Sequence, residues 1–167
     1  MTIIYPGSFD PITFGHLDIM LRASLLFDGL VVAVFDNPSK KGLFTAQERA
    51  GLIESCTGSF DCNIEVEVIS GLLANYAAGK DNGMIIRGLR SPCDFETEYR
   101  YASYNRSLSE GVETLFIPCS PAFSHISSSI VKEAAKLAFA RGPECSALDQ
   151  WVPEVCKEAL KQKFMKG

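Results

Sequence analysis

Histidine is scarce in this 167-residue chain, with two residues (His16 and His125), and its six cysteines follow no pattern. Cys56, Cys62, Cys93, Cys119, Cys145 and Cys156 form no CxxC pair and have no histidine at zinc-ligand spacing. That excludes the usual structural zinc site and a disulfide framework, so free, reduced thiols are expected and no metal-binding side chains are assigned. A GxxxxGK(S/T) phosphate loop, a GxGxxG fingerprint and a Ser–His–Asp motif are also missing. No apolar run reaches the 18 residues of a membrane span. The N-terminal MTIIYPGSFDP carries no basic segment before an apolar one, and a soluble, cytoplasmic protein without a signal peptide is expected. The net charge of −4 excludes general affinity for a nucleic-acid backbone, which rests on basic stripes. An anionic ligand must then be held by a local basic pocket.

What is present is the material of one globular domain spanning 1–167, with 47% hydrophobic and 22% charged residues. Short β-branched runs at 2–5, 30–35, 64–69, 83–88 and 113–118 read as strands buried in a parallel sheet. Helical spacing fills the intervals at 15–27, 45–56, 71–79 and 94–108. In the first of these Leu17, Met20, Leu21, Ser24 and Leu25 share one face, and Thr45 with Glu48 forms a capping box at the start of the second. This alternation predicts an α/β, Rossmann-like doubly wound sheet of five parallel strands. Helices at 128–140 and 153–163 follow, separated by a break at 141–150. No repeat or linker interrupts the chain. Ligands of such sheets bind at the carboxyl ends of the strands, where strand order reverses.

Four segments after strands carry chemistry. In YPGSFDPITFGH at 5–16, Pro6, Gly7 and Pro11 force a tight path, and Gly15 allows close approach of a ligand to a helix start. The free N–H groups there suit a phosphate, and His16 occupies the first turn. A histidine hydrogen-bonded to a neighbouring loop is the plainer alternative. NPSKK at 37–41 sets Lys40 and Lys41 behind a proline. IIRGLR at 85–90 places Arg87 and Arg90 around Gly88, where planar guanidinium forks suit phosphate oxygens; ion bridges to Asp94, Glu96 or Glu98 are the structural alternative. In SHISSSIVKE, Ser127, Ser128 and Ser129 precede a helix, whose cap needs only one hydroxyl.

TFGH at 13–16 resembles the (H/T)xGH signature of the nucleotidyltransferases, and SFDPITFGH is the form seen in phosphopantetheine adenylyltransferases. NPSKK, FTAQER, LLANYA, IIRGLRSPCDFETE, NR at 105–106 and SHISSSIVKE resemble that family in the same order, from residue 3 to about 135. The resemblance implies transfer of AMP from ATP to 4′-phosphopantetheine, giving dephospho-coenzyme A, with Mg²⁺ as cofactor. It implies catalytic roles for Ser8, His16, Lys40 and Arg90. Ser8, Phe9, His16, Gly88, Leu89, Arg90, Glu98, Phe123, Ser124, His125, Ile126, Ser127, Ser128 and Ser129 fall on its ATP side. Of these, Phe123 would pack on adenine, and His125 is given no catalytic part. Ser8, Lys40, Leu73, Asn75 and Arg87 fall on its acceptor side, while Leu72 and Tyr76 are expected on a buried helix face. A homohexamer is implied, and coenzyme A is expected to compete as an inhibitor because it shares the pantetheine arm. Thr97 departs from the family's frequent aromatic, and the segment 139–153 is longer than the family's usual link.

A reaction of this kind needs no general base, because a phosphate nucleophile is ionised before it attacks. The cationic residues need only align two anions and stabilise charge at phosphorus. Two rivals differ in class. One is a nucleotidyltransferase acting on nicotinamide mononucleotide or glycerol 3-phosphate, for which HxGH is the commoner form. The other is a non-catalytic ATP-binding domain.

Overall fold

In the computed structural model, which describes residues 1–36, 41–80, 83–141 and 147–165 (the side chains of 140 and 141 excepted), five strands form one parallel sheet. They are β1 (Thr2–Gly7), β2 (Gly29–Phe35), β3 (Ile64–Ile69), β4 (Met84–Leu89) and β5 (Glu113–Pro118), in the order β3-β2-β1-β4-β5. Strand order reverses between β1 and β4, which pair through Ile4 and Ile85. The doubly wound expectation is therefore met, and each strand lies within two residues of its expected bounds.

Alternation along β1 divides the core. Ile3 and Tyr5 face one layer with Leu30, Val32, Val34 and Ile86, whereas Ile4 faces the other with Ala33, Ile69 and Ile85. The first layer is closed by α1 (Phe14–Leu26), α2 (Ala46–Thr57), α5 (Ser128–Arg141), α6 (Leu148–Trp151) and α7 (Glu154–Met165). The second carries α3 (Leu73–Ala78) and α4 (Pro92–Leu108).

Three expectations need correction. The buried face of α1 is Ile19, Met20 and Ala23, while Leu21 and Leu25 are exposed. The helix is anchored by its start at Thr13, and that phase turns the leucines outward. On α3 the buried residues are Ala74 and Ala77; Leu72 is exposed and Tyr76 half-buried, because close packing on the sheet admits only small side chains there. The expected break at 141–150 ends early: α6 begins at Leu148, which is buried with Val152.

β3 is an edge strand, and its glutamates answer the edge. Glu67 accepts hydrogen bonds from the Tyr76 hydroxyl (2.7 Å) and Lys80 Nζ (2.6 Å). Burial and that carboxylate push the Tyr76 phenol up to about 12.

Asp10, buried after β1, accepts from the N–H groups of Leu43 (3.0 Å) and Phe44 (2.9 Å) and from Lys132 Nζ on α5 (2.8 Å). It thereby joins the β1–α1 loop, the entry to α2 and α5. Burial raises the Asp10 carboxyl, but Lys132 and the two N–H groups outweigh it and hold it below the usual range. Asp10→Ala is expected to cost about 2–3 kcal/mol near neutral pH, measured by urea unfolding. Because the folded-state value is depressed, this contribution is complete above the ordinary carboxylate pKa and fades as pH falls through the folded value. An equal difference between the two proteins at about pH 3 and pH 7 would show that charge on Asp10 has no part in it.

Candidate active site

At the switch point a cleft of about 400 Å³ opens at the carboxyl ends of β1, β4 and β5. Tyr5 to Phe9 supply one wall, Arg87, Gly88, Arg90 and Glu98 a second, and Cys119 borders it after β5. Thr13 before α1 and Gly15, His16 and Ile19 from it, with Ile126 to Ser129 at the start of α5, complete the lining.

His16 is held by the first turn of its own helix. Thr13, nearly fully buried, is the N-cap: its side chain accepts from the His16 N–H, and its own N–H donates to His16 Nδ1 at 3.1 Å. This is a capping box with histidine in the place usually held by Glu or Gln. Since Nδ1 accepts, the proton of the neutral ring sits on Nε2. Burial, then the charges of Arg90 and Arg87, lower the His16 pKa to about 4. The ring is thus a neutral hydrogen-bond donor near pH 7. Beneath it lies the Phe9 ring, edge-on at 5.1 Å and in turn edge-on to Tyr5 at 5.3 Å. A Cβ at Gly7 would come within 2.7 Å of the Phe9 ring, so glycine is required there. Burial keeps the Tyr5 hydroxyl far above the ordinary phenol value, and it stays neutral.

The two arginines are paired within the chain, as the structural alternative anticipated, and still line the cleft. Arg87 meets Glu98 with two hydrogen bonds (2.6 and 2.8 Å) and donates a third to the Pro6 carbonyl (2.6 Å). Burial opposes its charge, but Glu98 outweighs burial. Arg90 meets Asp94 in the same two-pronged way (2.9 and 3.1 Å). Asp94 in turn accepts from the Arg90 N–H (3.0 Å) and lies in the first turn of α4, capped by Ser91. These carboxylates hold both forks extended beside His16.

Each serine at α5 has its own task. Ser127 caps the helix by accepting from the Ile130 N–H (3.2 Å), and Ser128 donates to the Pro11 carbonyl (2.8 Å). Ser129 lines the cleft at an exposed position. Asp18 fixes the far side, accepting from the Ser120 N–H (3.0 Å), the Ser120 hydroxyl (2.7 Å) and Arg22 (3.1 Å).

Of the residues expected from sequence, the cleft brings together Ser8, Phe9, His16, Arg87, Gly88, Arg90, Glu98, Ile126, Ser127, Ser128 and Ser129. Phe9 contributes chiefly as a buried support for His16. Leu89, Phe123, Ser124, His125, Leu73 and Asn75 are outside the lining. Phe123 backs onto Phe14, with ring centroids 6.4 Å apart, and onto Gly15. His125 is exposed beside Trp151, Leu73 packs against the second core layer, and Asn75 is exposed on α3. Lys40 lies outside the described residues; Lys41 is exposed. Thr97 is exposed on α4 and does not line the cleft. Tyr5, Thr13, Ile19 and Cys119 line the cleft as well, beyond the residues expected from sequence. Thr13 alone had a local signal, an N-cap residue three before His16.

The cytidylyltransferase-like family model matches residues 4–134, which span this cleft. A phosphopantetheine adenylyltransferase of Caldanaerobacter subterraneus subsp. tengcongensis is 44% identical over 98% of both chains. Another of that description, from Alkaliphilus oremlandii, is 51% identical over 96% of this chain and 98% of its own. The chain belongs to the phosphopantetheine adenylyltransferase family. A solved structure of Plasmodium falciparum nicotinic acid mononucleotide adenylyltransferase, complexed with NaAD, superposes with a TM-score of 0.67 at 13% identity, covering 99% of this chain and 94% of that one. That likeness is one of fold. In this phosphopantetheine adenylyltransferase family member the TxGH motif is thus a helix cap that also lines the cleft.

With two histidines in the chain, NMR can follow the imidazole of His16 directly. It is expected to stay unprotonated from neutral pH down to about 5.5 and to titrate near 4, with a rise when ATP is added, since an anion beside Nε2 favours the charged ring. Titration near the ordinary value of about 6.5 in the free protein would contradict the neutral assignment.

Proposed function

We propose that this chain transfers AMP from ATP to the phosphate of 4′-phosphopantetheine, releasing pyrophosphate and dephospho-coenzyme A. The observation that carries the reading is the convergence of a neutral His16 Nε2–H donor with Arg87, Arg90 and the α5 start in one cleft. A phosphate oxygen of the acceptor forms a bond to the α-phosphorus of ATP as the bond to pyrophosphate breaks. Negative charge grows on the non-bridging oxygens, and His16 donates to it without needing to lose its proton. Arg87 and Lys40 hold the incoming phosphate, Ser8 and the adjoining loop N–H groups lie beside the α-phosphate, and Arg90 with Ser127–Ser129 receives the β- and γ-phosphates. Each arginine then exchanges part of its carboxylate contact for phosphate. Leu73 and Asn75 on α3 flank the longer pantetheine arm, and coenzyme A competes through that arm.

Mg²⁺ belongs with the nucleotide in this reading. Among the described residues no group of three or more His, Cys, Asp or Glu is placed to hold a metal, so the ion enters on the phosphates of ATP as part of the substrate. The cytoplasm is the compartment that fits the unpaired thiols of the five described cysteines. Among the described residues no helix is long and apolar enough to cross a membrane.

Assembly into a homohexamer is supported by α4, which buries none of its residues and exposes Phe95, Tyr99, Tyr101 and Tyr104, with Phe95 against Phe116 of the edge strand β5. An aromatic surface of that kind is characteristic of a subunit contact. Light scattering after size exclusion is expected to give six chains, and Tyr104→Glu to lower that number. A monomer at micromolar concentration would end the hexamer reading.

The activity is tested by pyrophosphate release with ATP, Mg²⁺ and one acceptor at a time. Turnover is expected with 4′-phosphopantetheine and not with nicotinamide mononucleotide or glycerol 3-phosphate. His16→Ala is expected to lower kcat by about 100-fold or more while changing the KM for ATP by less than about fivefold, because its contact strengthens in the transition state. Loss of ATP binding in parallel with turnover would make His16 an ordinary ligand contact.

A further inference from the structure

Arg49 lies on α2, outside the cleft lining, with 6% of its surface exposed. Buried arginines commonly face a carboxylate. Among the described residues this one donates instead to three main-chain carbonyls: Nε to Phe44 (3.2 Å), and one terminal nitrogen to both Phe35 (2.9 Å) and Ser8. A single guanidinium thus joins the end of β2, the residue before the α2 cap and the loop after β1.

The Ser8 contact bears on chemistry. The Ser8–Phe9 peptide is trans, so the Ser8 carbonyl and the Phe9 N–H point in opposite directions. Drawing the carbonyl toward α2 turns the N–H the other way, toward the cleft that Ser8 and Phe9 line. It also removes the negative end of a carbonyl from the approach of a phosphate. Phe9 itself sits at φ 48°, in the left-handed region rarely taken by a bulky residue. Such a conformation persists when its neighbours over-determine it. Here the ring is locked beneath His16 on one side, and the preceding carbonyl is locked on Arg49 on the other.

We infer that Arg49 is a positioning residue for adenylyl transfer: by holding the Ser8 carbonyl it keeps the 8–9 peptide turned so that its N–H faces the α-phosphate of ATP. This rests on the reading of the cleft as the adenylyl-transfer site. The role predicts damage to the nucleotide side of the reaction, with the acceptor side spared.

The test is steady-state kinetics of Arg49→Met and Arg49→Lys with each substrate varied, alongside thermal unfolding. Arg49→Met is expected to lower kcat/KM for ATP by about tenfold or more, with the KM for 4′-phosphopantetheine changed by less than about threefold. Arg49→Lys keeps the charge but reaches fewer carbonyls, and it should fall between, near a threefold loss for ATP. Leu160→Ala, a truncation in the buried face of α7, serves as the stability control and should leave both constants unchanged below its melting temperature. Wild-type constants in Arg49→Met, or a loss for both substrates that follows the folded fraction, would overturn the assignment. If Arg49→Met does not fold, Arg49→Lys decides alone: an ATP-selective loss supports the role, and unchanged or parallel constants remove it. If the wild-type chain instead uses another acceptor, the reading of function falls, while the same ATP constants with that acceptor still decide Arg49.

Discussion

The hydrogen bonds between Thr13 and His16 do two things at once, and much of the site follows from them. They end the loop and start α1, since Thr13 satisfies an N–H that the helix itself leaves free. They also occupy Nδ1, which places the ring proton on Nε2 and turns it to the cleft. A capping residue of another shape would change the helix start and the imidazole together. Gly7 and Phe9 complete the support from below, with no room for a Cβ at residue 7.

Around this fixed donor the cleft gathers positive charge in a chain that is acidic overall. Each arginine is held by a carboxylate on α4, Arg87 by Glu98 and Arg90 by Asp94. Those pairs keep long side chains ordered and make burial of charge tolerable before a phosphate arrives. The same two charges, with burial, lower the pKa of His16, so electrostatics and geometry agree on a neutral donor. Farther out, Asp10 and Lys132 tie the β1–α1 loop to α5, and Asp18 ties α1 to Ser120 after β5. The floor of the cleft is therefore braced from both sides by charged hydrogen bonds.

Much of the fold was legible locally. The strands are short β-branched runs whose alternation survives in the two core layers, and Thr45–Glu48 formed the capping box its spacing announced. The orientation of α1 was not legible. Leu21 and Leu25 have the spacing of a buried stripe but face outward, because the helix is phased by Thr13 and by sheet contacts through Ile19 and Met20. The exposed aromatics of α4 escaped a local reading as well, since a stripe of Phe and Tyr looks alike whether it meets a core or another subunit.

By itself the sequence determined the class of the protein: five strands alternating with helices, with residue types suited to phosphate in the segments that follow β1, β4 and β5. These are local matters of periodicity, turn chemistry and side-chain type, each set within about ten residues of chain. Tertiary structure alone decided the distant partners. Arg90 meets Asp94 four residues on, at the start of α4, whereas packing of α4 against β4 selected Glu98 from several acids as the partner of Arg87. Arg49 reached Ser8, 41 residues away, because α2 lies beside the carboxyl ends of β1 and β2. Contacts of that range depend on where whole elements come to rest, and no local spacing encodes them.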